Sequence, residues 1–158
     1  MLNPGYLVPY SDYIIVTFAT TFAVIIAVLL HYESLLLLSS GIENSKRPHR
    51  QRILSMVFGV LLLHIGEIWL FGFTGWWLTE IAGIGQLAGY ETFIFIDYVF
   101  FSAVSYTTVG YGEIYALGPV RFLYGTLALT GFVLITWSAS FTFIEMQKHW
   151  KFRIPPHH

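Results

Sequence analysis

Three long apolar runs constrain this chain more than any other feature. They extend from Ile14 to Leu38, from Ile53 to about Leu78, and from Pro119 to about Ile144. A helix needs roughly 20 apolar residues to cross a bilayer, and each run reaches that length. The first is uncharged until Glu33, the second is interrupted by His64 and Glu67, and the third is uncharged after Arg121. A fourth apolar stretch, Phe93 to Val104, is too short to cross and carries Asp97. It reads as a re-entrant segment that protein must shelter, because its ends expose backbone at membrane depth. The pattern predicts an all-α membrane protein with three transmembrane helices and one re-entrant helix. Composition agrees: 56% of residues are hydrophobic and 11% are charged, where a soluble domain carries about 25% charged residues. The leader Met1 to Asp12 has no Lys or Arg, and the first run exceeds a signal-peptide core, so it is expected to remain as a membrane helix.

Charge placement predicts the orientation. Lys46, Arg47, Arg50 and Arg52 lie in the link between the first two runs, and Lys148, Lys151 and Arg153 follow the third. Only Arg121 sits on the other side. Cytoplasmic loops collect Lys and Arg, so the first link and the C-terminus are expected inside. The N-terminus and the Gly72–Gly118 region then face outside. Tyr6, Tyr10 and Tyr13 before the first run, Trp76 and Trp77 after the second and Trp150 after the third fit interfacial belts. The chain divides into 1–52, an added helix with a basic loop; 53–146, a pore-like unit; and 147–158, a short cytoplasmic tail. His157 and His158 follow Pro155-Pro156 and read as tag residues without function. The net charge of -1 gives no reason to expect a nucleic-acid partner. The absence of cysteine removes disulfide and thiolate chemistry. No cluster of residues suggests an enzyme.

The most informative segment is Thr107-Thr108-Val109-Gly110-Tyr111-Gly112, which follows the short apolar stretch and precedes the third run. Residue for residue it resembles the selectivity filter of the tetrameric potassium-channel superfamily. The physics of such a segment is direct. A potassium ion entering a filter loses its water shell, and backbone carbonyls can replace that water without adding net charge. Turning successive carbonyls to one side requires unusual dihedrals, which glycine tolerates best. Val109 and Tyr111 can then wedge the strand against the pore helix. The resemblance implies K+ ligands at the carbonyls of Thr108, Val109, Gly110 and Tyr111, with the Thr108 hydroxyl at the inner end. Thr107, Gly112 and Glu113 would support the filter. It also implies a homotetramer among membrane lipids, K+ as the permeant ion without an organic cofactor, and a plasma membrane of the bacterial inner-membrane type.

A pore helix ending near Ser105 would point its C-terminal partial negative charge at the ion path. Glu113 stands where the family usually has Asp, so its reach behind the filter is longer. With Glu80 and Glu91 it should make the outer mouth acidic. Gly131 lies where many family members carry an inner-helix hinge; close helix packing is the alternative. Phe132, Ile135, Ala139 and Phe143 follow at helical spacing and could line the inner pore, with Phe143 as a constriction.

His64 and Glu67 are three residues apart, on one face of the second helix. Ionisable groups at membrane depth are costly. Three readings stay open: a pH sensor, since histidine titrates near neutrality; a metal site, with His31 and Glu33 as further candidates; or a polar pair that fixes helix packing. The His64-Ile-Gly-Glu67 and Trp137-Ser138-Ala139 segments resemble those of small bacterial channel-like proteins with an extra first helix. That helix has no ladder of Arg, so it is not a voltage sensor of the usual kind. The rivals to a potassium channel are a weakly selective cation channel and a non-conducting membrane subunit that senses metal or pH.

Overall fold

The computed structural model describes residues 9–43, 45 and 48–150, with only the backbone at 43, 49, 149 and 150. Tyr6, Lys46, Arg47, Lys151, Arg153, His157 and His158, and the side chain of Trp150, lie outside the described residues. Four α-helices follow in order: α1 over Tyr10–Glu43, α2 over His49–Trp76, α3 over Phe95–Tyr106 and α4 over Arg121–Trp150. A π-helical turn, Trp77–Ile81, extends α2. The short strands β1, Gln86–Ala88, and β2, Tyr115–Leu117, pair antiparallel with Leu87 opposite Ala116. Three helices, within Tyr10–Ile42, Arg50–Ile81 and Gly118–Lys148, are long and apolar enough to cross a membrane. α3 is the shorter apolar helix among them. The chain is a multi-pass membrane protein.

Helices form here because a membrane leaves backbone groups no partner except their own chain. α1 is apolar on most sides, and its inner face is marked largely by smaller and polar side chains. On α1, Val16, Thr20, Ala23, Ala27, His31 and Leu35 are buried along one stripe, while Phe18, Phe22 and Leu29 are exposed. That stripe packs against α2 and α4. Helix association in lipid gains little from the hydrophobic effect and relies on close packing of small residues. Gly72 on α2 meets this need: a Cβ there would stand 2.9 Å from the Cα of Val99 on α3.

The start of α3 explains the charge in that apolar stretch. Asp97 accepts a hydrogen bond from the Ile94 backbone N–H at 2.8 Å, which satisfies a donor that the helix itself leaves free. Trp76 meets Phe95 edge to face at 5.7 Å, so it ties α2 to α3 as well as closing its helix. The π turn and the β1–β2 pair are not signalled by hydrophobic period. β1 and β2 flank α3 and residues 107–112 in sequence, and their pairing closes the loops before and after them into one structure.

Candidate functional site

The segment after α3 leaves the helix through its own last carbonyls. The Thr107 N–H donates to Ala103 O at 3.0 Å, and Thr108 N–H donates to Ser105 O at 3.0 Å. Val109 N–H then reaches Val104 O at 3.1 Å. From there φ is positive at every second residue: 59° at Thr108, 58° at Gly110 and 84° at Gly112. Alternation of positive φ along a segment can turn consecutive peptide planes so that successive carbonyls share a side. Backbone nests use the same alternation for their N–H groups. Glycine adopts this region freely, whereas a β-branched residue such as Thr108 does so at a cost of about 1–3 kcal/mol. Among the described residues, no backbone N–H donates to a carbonyl of 107–112. Residues 107–113 are all exposed in the single chain.

Side chains support this segment from behind. The ring of Tyr111 stacks on Phe100 of α3, with centroids 6.3 Å apart, as the expected wedge against the pore helix requires. Val109 keeps 56% of its surface exposed, so its own chain covers less than half of it. Glu113 accepts a hydrogen bond from the Tyr90 hydroxyl at 2.8 Å. That bond holds the Tyr90 phenol above its usual range, because losing the proton would set two negative charges together. The Glu113 main chain is also pinned, since a Cβ at Gly89 would run into its carbonyl oxygen. Glu80 accepts from Tyr98 of α3 at 2.6 Å. Glu80 and Glu91 are exposed, as is Glu113.

α4 touches this unit at Gly131. A Cβ there would run into the carbonyl oxygen and ring of Tyr106, the last residue of α3. Gly131 is thus a packing contact inside a helix that continues unbroken from Arg121 to Trp150. Phe132 and Phe143 are each 58% exposed. Ile135, Ala139 and Phe143 line an open groove shared with Val57, Leu61 and His64 of α2.

The second polar constellation is larger than the pair on α2. Glu67 is 1% exposed and His31 of α1 is fully buried. His31 Nδ1 lies 2.8 Å from Glu67 Oε1, and His64 Nδ1 lies 3.1 Å from Glu67 Oε2. Tyr106 donates its hydroxyl to Glu67 Oε2 at 2.5 Å and sits 2.7 Å from His64 Nδ1. Ser138 Oγ of α4 is 3.3 Å from His31 Nε2, and Trp137 packs on the same ring at 5.2 Å. One carboxylate therefore joins α1, α2 and α3, and His31 carries the connection to α4. Glu33, also named from the sequence, is exposed and outside this cluster. Tyr106, Ser138 and Tyr90 have no signal of their own in the sequence. Only the Trp137-Ser138-Ala139 resemblance pointed near one of them.

Residues 53–148 match the model of a protein family described as "Ion channel". The chain belongs to that ion-channel family. The match spans α2, the π turn, the β1–β2 pair, α3, the following segment and most of α4, while α1 lies before it. No curated protein and no solved structure is significantly similar to the chain. An ion channel catalyses passive movement across a membrane and needs no covalent chemistry, so the chain is not an enzyme.

Proposed function

We propose that four copies of this chain enclose a potassium-selective pore, with K+ held by the carbonyls of Thr108, Val109, Gly110 and Tyr111 and by the Thr108 hydroxyl. The observation that carries this reading is the alternation of positive φ at Thr108, Gly110 and Gly112, in a segment whose carbonyls have no backbone donor among the described residues. One such segment cannot surround an ion. Its exposed irregular backbone, in a chain that spans a membrane, is tolerated where it lines a water-filled path enclosed by protein. In this arrangement α2 is the outer helix and α4 the inner helix. Phe132, Ile135, Ala139 and Phe143 border the inner pore, with Phe143 as the constriction, and lipid surrounds the bundle. The proposed setting is a plasma membrane of the bacterial inner-membrane type, and basic residues near the α1–α2 link and after α4 support a cytoplasmic side for those regions. K+ enters the cavity from that side, sheds its water and passes in single file to an outer mouth made acidic by Glu80, Glu91 and Glu113.

The test is K+ and Na+ permeability in liposomes for the parent and for Gly110→Ala. Space is open around Gly110, but its φ is 58°. The substitution should therefore strain the filter without clashing in the bundle, and assembled protein should lose at least nine-tenths of its K+ flux. Near-equal K+ and Na+ permeability of the parent would instead support a weakly selective cation channel. Assembled parent protein with no flux would support a non-conducting subunit.

A further inference from the structure

A carbonyl filter makes no use of the His31–His64–Glu67 cluster. We propose that His31 Nδ1, His64 Nδ1 and a Glu67 carboxylate oxygen form a binding site for a divalent transition-metal ion of zinc-like preference. The ion would clamp α1 to α2 beside the end of α3.

The donor set points to this class of ion. Two imidazoles with one carboxylate are a recurrent ligand set of zinc sites that keep an open position. Calcium and magnesium sites instead gather oxygen ligands. The ligand atoms of the three residues all lie within 4.8 Å of one another. A tetrahedral ion with bonds of about 2.0–2.1 Å sets its ligands roughly 3.3 Å apart. The two contacts are made to different carboxylate oxygens, His31 Nδ1 to Oε1 at 2.8 Å and His64 Nδ1 to Oε2 at 3.1 Å, so a small turn of the carboxylate is needed to present one oxygen to the ion. The widest pair has to close by no more than roughly 1.5 Å, within the reach of a χ rotation.

Orientation is supplied by the neighbours. A histidine ligand usually uses its other nitrogen to bond a polar group that fixes the ring. For His31 that group is Ser138 Oγ, 3.3 Å from Nε2. A serine hydroxyl can donate or accept. It can donate to Nε2 while Nδ1–H bonds Glu67, or accept from Nε2–H while Nδ1 offers its lone pair to a metal. Thus the His31–Ser138 contact can persist when a metal enters, through a tautomer change and a hydroxyl rotation. The Tyr106 hydroxyl, 2.7 Å from His64 Nδ1 and bonded to Glu67 Oε2, has to yield its contact to His64 when that nitrogen ligates. Charge favours a cation too. Among the described residues, the ion-pair partners of Glu67 are these two imidazoles. When both are neutral, the carboxylate is an uncompensated charge at membrane depth, which is costly.

The alternative is a hydrogen-bond network that only holds the helices together, and metal binding separates the two. Purified protein with His149→Ala, His157→Ala and His158→Ala lacks the tail imidazoles. It is stripped with a chelator, loaded with Zn2+, desalted and assayed for metal. One zinc per chain is expected, and X-ray absorption should give two imidazole ligands per zinc. His31→Ala and His64→Ala should each weaken binding at least ~100-fold, and Ser138→Ala about 10-fold. Glu33→Gln should leave affinity unchanged. Less than half a zinc per chain in the parent, or fewer than two imidazoles per zinc, overturns the proposal. So does parent-like affinity in the His31 or His64 variant. The spectroscopic reading is made on the parent-like protein alone, so a variant that fails to fold does not remove the test. Metal content is also read without any flux, so its outcome is separate from that of the potassium reading.

Discussion

At the scale of single residues, the sequence marked Thr107–Gly112 more clearly than the side chains that touch its surroundings. Thr107–Gly112 could be picked out because the backbone conformation it needs selects particular residue types, glycine above all. The partners of Glu113 and Glu67 could not, because Tyr90 is 23 positions from Glu113 and Tyr106 is 39 from Glu67. A hydrogen bond between remote residues leaves no periodic trace. Two predictions belong here. Gly131→Ala would normally favour a helix by about 1 kcal/mol, but its methyl group would meet the Tyr106 backbone, which has little room to yield. Overpacking should win, destabilising the protein by roughly 1–3 kcal/mol in thermal unfolding in detergent. A purely hinge-like glycine would leave stability unchanged or raised. The second concerns Tyr90, whose phenol is held above its usual range by Glu113. A raised value means the protonated, hydrogen-bonded form is favoured below the ordinary phenol value of about 10 and is lost as pH rises through the shifted one. In an ultraviolet difference titration of parent against Tyr90→Phe, the missing phenol should titrate above about pH 10. Titration at or below that value would mean the contact to Glu113 is not made.

At the scale of elements, the three long helices were legible from length and apolarity, and the short helix from its failure to reach spanning length. The face each helix turns inward was less legible. α1 is apolar on all sides, so hydropathy gives it no direction. Its inner stripe is marked instead by small and polar residues, Thr20, Ala23, Ala27 and His31. The π turn and the β1–β2 pair escaped for another reason: strands of three residues are too short for an alternating pattern. The stripe on α1 can be tested directly. Ala27 is fully buried against neighbouring helices, whereas Phe22 is 66% exposed. Ala27→Leu should therefore cost roughly 1–3 kcal/mol by forcing α1 away from its partners. Phe22→Leu should stay within about 0.5 kcal/mol. Equal effects from the two changes would mean that α1 packs differently in the assembled protein.

At the scale of the whole molecule, the single chain is incomplete in a way that its own surface describes. Val109 and Tyr111 are 56% and 66% exposed beside a run of backbone carbonyls without backbone donors. Phe132 and Phe143 are exposed on α4. Lipid can cover exposed apolar side chains such as Phe18, Phe22 and Leu29 of α1. Lipid cannot bond unpaired carbonyls, so the filter region needs either water or other copies of the chain, and a conducting filter needs both. The chain enters the problem asymmetrically. Its exposed side on α1 is largely apolar, while residues 107–112 expose irregular backbone. Closed rotational symmetry resolves this by turning the irregular face of every copy to a common axis. Carbonyl filters of this sequence type surround the ion with four strands. Native mass spectrometry of protein released from mild detergent should therefore give one dominant species of four 18.0 kDa chains. Gly110→Ala should keep that stoichiometry, because its defect is confined to the ion path. A monomer or dimer as the dominant parent species, under conditions where helicity is retained, would exclude a fourfold filter and with it the potassium reading.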